Sequence, residues 1–151
     1  MEHHHDHKKF LESSLTVLRE KKLKVTRPRK LLLELLIEEH GPFTTEELHR
    51  KLNTRDKTLK CDLVTVYRSL SSFEAIGLVS PCQFGDNSVR YEFRSPSGEH
   101  HHHVICRKCR KVETLDGCFL GNAAKTLSKK GYTDLSHVLE VFGICPACRK
   151  K

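Results

Sequence analysis

Cys106-Arg-Lys-Cys109 and Cys145-Pro-Ala-Cys148 form two C-x-x-C pairs, and they constrain the fold more than any other feature of the chain. Four thiolates so spaced suit a closed tetrahedral zinc site, which would tie together the two ends of a small domain and supply much of its folding energy. Seven cysteines is an odd number for a disulfide framework, and Met1 to Lys9 lacks the apolar core of an export signal, so metal ligation is the expected use. The segment between the pairs is longer than in compact zinc ribbons and must carry structure of its own. It reads as a strand over 111–115, a helix over 118–130 ending near Gly131, and a long strand over 136–144. A C-P-x-C pair resembles a glutaredoxin-type redox site, but the second C-x-x-C argues against that chemistry. The H-x-E and P-C-x-x-C patterns of a zinc deaminase are absent. The chain is expected not to be an enzyme.

His100, His101, His102 and His103 lead into a strand at Val104-Ile105, just before the first cysteine pair. In extended backbone His100 and His102 face one way while His101 and His103 face the other, so one run can serve two metal sites. His3, His4, His5 and His7 fall in an N-terminal tail and receive no role, and His49 reads as a solvated helix residue. Cys61 and Cys82 read as core thiols rather than ligands.

The first half has a different character. Phe10, Leu11, Leu15 and Leu18 give 8–19 helical spacing, and residues 19–30 then carry seven basic side chains against one acid. The formal net charge of the whole chain is +8, which favours a polyanionic partner because neutralising phosphates releases condensed counterions. Thr26 is expected to cap a helix with Pro28 in its first turn and Leu31, Leu32, Leu35 and Leu36 as its buried stripe, ending before His40-Gly41-Pro42. The basic cluster would then sit at a helix N-terminus, where phosphates bind well.

A short helix from Thr44 or Thr45 through Lys51 and a polar loop through Lys60 lead to another helix, opened by Asp62. There Leu63, Val66, Leu70 and Phe73 share one face, Val64, Thr65, Arg68, Ser71 and Ser72 the opposite one, and Tyr67 the border. Hydroxyls and an arginine on the outward face of a core helix predict a recognition helix for the major groove. Strands over 78–83 and 88–93 around Gly85-Asp86-Asn87 complete a winged helix, and Pro96-Ser97-Gly98 marks a hinge. The expected class is α+β, with a winged helix-turn-helix domain over 1–94, a hinge over 95–99, and a small α/β dimerisation and metal-binding domain with the four-cysteine zinc site over 100–151. No apolar run approaches the roughly 20 residues of a membrane helix, so the chain reads as cytoplasmic, with no membrane partner.

Lys24-Val-Thr-Arg-Pro-Arg29, Thr65-Val-Tyr-Arg68, Gly85-Asp-Asn-Ser-Val-Arg-Tyr-Glu-Phe93, His100 to Cys109 and His137 to Cys148 are together highly specific. With these motifs the chain resembles the ferric uptake regulator (Fur) family from about Lys21 to Cys148. The resemblance implies a cytoplasmic homodimer that binds A/T-rich inverted repeats in double-stranded DNA when metal-loaded, repressing metal-uptake or peroxide-stress genes. It implies that Lys24 reaches into the minor groove while Tyr67 and Arg68 contact thymine and backbone or base groups in the major groove. Arg29 and Thr65, from the basic cluster and the outward helical face, join that interface. The resemblance further implies a regulatory site of His40, Glu92, His101 and His103 between the domains. A second site of His100, His102 and His137 would lie within the dimerisation domain. The acidic ligand that this second site has in relatives falls near Gly121 here, leaving Glu113 or Asp116 to substitute, while Cys118 either completes the site or is simply buried.

His102 stands where iron-sensing relatives usually place an aspartate, and the histidine run together with Ser136 to Cys145 resembles zinc-sensing members. Glu92 stands where iron sensors use glutamate and some zinc sensors cysteine, and Glu92 and Thr114 fall where peroxide sensors carry aspartates. The expectation is a zinc-sensing repressor of metal-uptake genes, with Zn2+ in the structural site and Zn2+ or Fe2+ in the regulatory one. Ferrous-iron sensing is the alternative, then peroxide sensing, and outside this class a zinc-stapled interaction or metal-storage protein.

Overall fold

The computed structural model describes residues 3–39, 41–94, 102–115, 117–118, 120–133, 135, 137 and 139–150, with the backbone alone over 3–6. The chain divides into two compact units, Met1–Glu99 and His100–Lys151.

In the first unit four helices, α1 (His3–Glu20), α2 (Arg27–Glu39), α3 (Thr45–Arg55) and α4 (Leu63–Ala75), pack around one apolar core. Leu18, Leu32, Leu36, Leu48, Leu52, Leu70 and Phe73 are buried there, each side chain worth about 1.5–3 kcal/mol on removal from water. Helix α1 starts earlier than the apolar spacing suggests, because His3 to His7 contain neither glycine nor proline to stop it. Helix α3 opens with a capping box: Thr44 Oγ1 accepts from the Glu47 N–H at 3.2 Å, and the Glu47 carboxylate accepts from the Thr44 N–H at 2.8 Å. It also runs a turn beyond Lys51. Asn53 explains that turn, since its amide donates to the Cys61 carbonyl at 2.9 Å and accepts from the Cys61 N–H at 2.9 Å, clamping the following loop. His49 is part of the same clamp, with Nε2 2.9 Å from the Cys61 carbonyl, and so is not the solvated residue expected.

Strands β2 (Val79–Gln83) and β3 (Val89–Phe93) form the antiparallel wing, and a two-residue strand β1 (Phe43–Thr44) adds to the far side of β3 in the order β1-β3-β2.

The second unit is a three-stranded sheet in the order β5-β4-β6, built from β4 (His102–Cys106), β5 (Val112–Leu115) and β6 (Glu140–Gly143). Strand β5 pairs antiparallel with β4, whereas β6 runs parallel to it, Cys106 opposite Gly143. Helix α5 (Gly121–Lys129) starts later than expected, so that Cys118 lies before it, and a short α6 (Pro146–Arg149) follows β6. Strand β6 is shorter than the expected 136–144 strand. Among the described residues of this unit only His102, His103, Ile105 and Cys106 are buried, while Leu127, Tyr132, Leu135, Val141 and Ile144 are exposed. So small a core needs help from a metal or a partner. No helix among the described residues is long and apolar enough to cross a membrane.

Candidate metal centre and nucleic-acid interface

Helix α4 is capped by Asp62, whose carboxylate accepts from the Thr65 N–H at 2.6 Å. Val66, Leu70 and Phe73 point into the core, Arg68 and Val64 are exposed, and Tyr67 is 45% exposed. The face expected to read DNA is therefore the solvent face. Thr65 is half-buried, and its carbonyl accepts from Ser69 Oγ at 2.7 Å. The Tyr67 hydroxyl donates to Glu46 at 2.8 Å, a bond that fixes the ring and raises its pKa.

Lys24 is exposed, but Arg29 is turned inward: its guanidinium donates to the Lys24 carbonyl at 2.9 Å and to Ser72 Oγ at 3.5 Å. Arg29 thus braces the Lys24 segment against α4. Arg27 pairs with Asp56 and donates to Thr58 Oγ1 at 3.0 Å. At the wing tip, Gly85 and Asn87 take positive φ of 73° and 59°. The Asp86 carboxylate gathers Arg90 Nη2 at 2.8 Å, Ser88 Oγ at 2.6 Å and the Ser88 N–H at 3.2 Å, and these bonds, Arg90 foremost, hold its pKa well below the usual carboxylate range.

The two C-x-x-C pairs meet because each begins at or just beyond the C-terminal end of one of two adjacent parallel strands. Cys106 ends β4, and a tight turn, with Arg110 N–H donating to the Cys106 carbonyl at 2.9 Å, brings Cys109 back. Cys145 follows β6 and precedes α6, whose first turn carries Pro146 and presents Cys148. All four sulfurs lie within 4.8 Å of one another, and Cys109 Sγ is 3.7 Å from Cys145 Sγ. A tetrahedron with metal–sulfur bonds of about 2.3 Å has edges of about 3.8 Å, so the cluster has the size of a zinc or similar site. The backbone N–H groups of Cys109 and Cys145 aim at Cys106 and lower its pKa to about 6. Hydrogen bonding among the thiols, Cys109 foremost, pushes Cys148 up to about 12. Ionising all four beside one another requires a cation, whose binding releases their protons.

A second cluster joins His102, Cys118 and His137. His102 Nε2 lies 3.4 Å from His137 Nε2, and Cys118 Sγ lies 3.3 Å from the same His137 nitrogen. His103, buried, occupies the opposite face of β4, as strand alternation requires. In the first unit, Cys82 lies half-buried on β2 rather than in the core, and register places it on the same face as Glu92, their ligand atoms within 4.8 Å. Cys61 is buried, as expected. His40, His100, His101, Asp116 and the Pro96-Ser97-Gly98 hinge lie outside the described residues.

Residues 20–142 match the model of the ferric uptake regulator family. The chain belongs to that family. A Fur-family relative, the ferric uptake regulation protein of Campylobacter jejuni, is 27% identical over 143 residues, covering 94% of this chain and 90% of that protein. The peroxide-responsive repressor PerR of Staphylococcus epidermidis is 28% identical over 142 residues, covering 93% and 91%. The ferric uptake regulator Fur of Helicobacter pylori, whose structure is described as having three functional metal binding sites, superposes with a TM-score of 0.74 at 26% identity, covering 93% of this chain and 95% of that one. The chain is therefore a metal-responsive regulator of the Fur family, with an α+β fold of helical DNA-binding and sheet-based dimerisation parts. These relatives are named for regulating ferric uptake or for responding to peroxide, and the likeness to zinc regulators rests on the residues alone.

Proposed function

We propose that this protein is a zinc-responsive, cytoplasmic, homodimeric repressor of metal-uptake genes that binds A/T-rich inverted repeats. The observation that carries the zinc reading is donor chemistry: the two ligand clusters of the second unit consist of thiols and imidazoles, which suit zinc better than the oxygen-rich sets preferred by harder ions. Cys106, Cys109, Cys145 and Cys148 would hold a structural Zn2+. Glu92, His101 and His103, with His40, would hold the regulatory ion, and His100, His102 and His137 a further one.

Binding of the regulatory ion would favour the DNA-binding form of the protein. A free metal concentration about 100 times its dissociation constant contributes about 2.7 kcal/mol to the bound arrangement when the alternative binds none. Lys24, Thr65, Tyr67 and Arg68 would then engage each half-site, with Arg29 as brace. Ferrous-iron sensing is the second reading, favoured by the carboxylate of Glu92 and by the named ferric uptake relatives.

A mobility-shift assay on the gene's own promoter tests the proposal. Retardation should require added metal beyond the structural ion and reverse with a chelator that leaves the structural zinc in place. Retardation that ignores both treatments would remove metal control.

A further inference from the structure

We infer that Cys118 supplies the anionic ligand of the second metal site, making it a two-imidazole, one-thiolate centre. The inference rests on the metal-responsive reading for its purpose, though its geometry stands alone. In a tetrahedral ion with metal–nitrogen bonds of about 2.0–2.1 Å and a metal–sulfur bond of about 2.3 Å, nitrogens sit about 3.3 Å apart and a nitrogen and a sulfur about 3.6 Å. The 3.4 Å between the two Nε2 atoms and the 3.3 Å from Cys118 Sγ to His137 Nε2 match those edges within 0.3 Å. Both rings offer the same nitrogen to a common point, with centroids 5.1 Å apart.

Neither Gly121 nor Glu113 competes with Cys118. Gly121, where the family resemblance implies an acid, has no side chain, and it opens α5. Glu113 shares the His102 face of the β4–β5 pair, but its carboxylate is bound to Lys111 Nζ at 2.7 Å and is not part of the cluster. Gly117, at a φ of 84° that side-chain-bearing residues rarely adopt, turns the chain so that Cys118 meets the histidines before the helix begins.

The substitution of sulfur for oxygen changes what the site prefers. A thiolate neutralises one charge of a dication as a carboxylate does. It is softer, and it favours four-coordinate Zn2+ or Co2+ over Mn2+ and Fe2+, which prefer oxygen. The fourth position of the ion would be taken by water or by one further imidazole.

Anaerobic Co2+ titration of the zinc-stapled full chain tests this. One equivalent should bind with sulfur-to-cobalt charge-transfer absorption in the near ultraviolet and with intense tetrahedral ligand-field bands. Cys118→Ser should lose the charge-transfer band while keeping its structural zinc and its circular dichroism. Cys118→Asp should bind Co2+ without that band and gain affinity for Mn2+. Because Cys82 is another thiol beside a carboxylate, Cys82→Ser is run in parallel and should leave the band intact. A band that survives Cys118→Ser, or cobalt bound by the parent without any sulfur band, overturns the assignment. DNA is absent from the experiment, so a failed sensor reading with an intact band would leave Cys118 as a ligand.

Discussion

Replacing Cys106 by Ser should dismantle the second unit while sparing the first. The sulfur of Cys106 accepts from the Cys145 N–H at 3.3 Å and stands where β4 meets both C-x-x-C turns. Apart from Cys106, Ile105 is the only buried hydrophobic residue among those described in this unit, and its burial contributes about 1.5–3 kcal/mol. Structural zinc in small modules contributes about 10–16 kcal/mol at neutral pH, several times more. A serine hydroxyl does not ionise to replace the thiolate, so most of that contribution goes with it. The first unit keeps its core, since Leu33, Leu36, Leu70 and Phe73 are fully buried independently of any metal. Hydrogen exchange followed by mass spectrometry, with zinc released to a colorimetric chelator, reads both halves at once. The expected outcome is loss of one zinc per chain, loss of amide protection over 102–106 and 140–143, loss of dimers, and unchanged protection in α2 and α4. A Cys106→Ser protein that keeps tightly held zinc, protected β4 amides and its dimer would refute the reasoning.

Three further outcomes follow from the same geometry. Arg68→Ala, on the exposed face of α4, should weaken specific DNA binding by about 1–3 kcal/mol without releasing the structural zinc, and unchanged affinity in fluorescence anisotropy would take Arg68 out of the interface. Thr44→Ala removes half of the α3 capping box and should cost about 1 kcal/mol in urea unfolding of the first unit, while a null effect would show that the Glu47 bond alone suffices. The Asp86 pKa is depressed in the folded wing, so its stabilising contribution is fully present above the unfolded value of about 3.9 and is lost as pH falls through the folded one. Ser88 and Arg90 amide shifts should accordingly stay flat from pH 7 to about 4 and move below it, and a midpoint above about 4 would contradict the Asp86–Arg90 contacts.

What the sequence discloses and what it hides follow from the range of the interactions involved. Helix α4 was legible because one face is apolar at helical spacing, and its outward residues were therefore legible too. The four-cysteine cluster was legible because each pair carries its own local spacing. Strand β1 was not, since two residues cannot display alternation and Phe43 becomes a strand only by pairing with Tyr91. The end of β6 was set by its parallel pairing with β4, almost forty residues away in sequence, which no local pattern encodes. The sequence places Cys118 in a helix because 118–130 has no breaker after Gly117 other than Gly121, yet the helix starts at Gly121 and leaves the thiol beside His137. His49 reads as a solvated helix residue and Asn53 falls in the expected loop, and only the fold brings the Cys61 backbone to both.

The central claim, that this Fur-family chain couples zinc to DNA binding, is tested most directly by fluorescence anisotropy of labelled promoter DNA. Protein carrying its structural zinc alone is titrated with buffered zinc or, anaerobically, with ferrous iron. Binding switched on by free zinc far below the concentration at which iron acts is the expected result; binding switched on by iron while buffered zinc does nothing would contradict it.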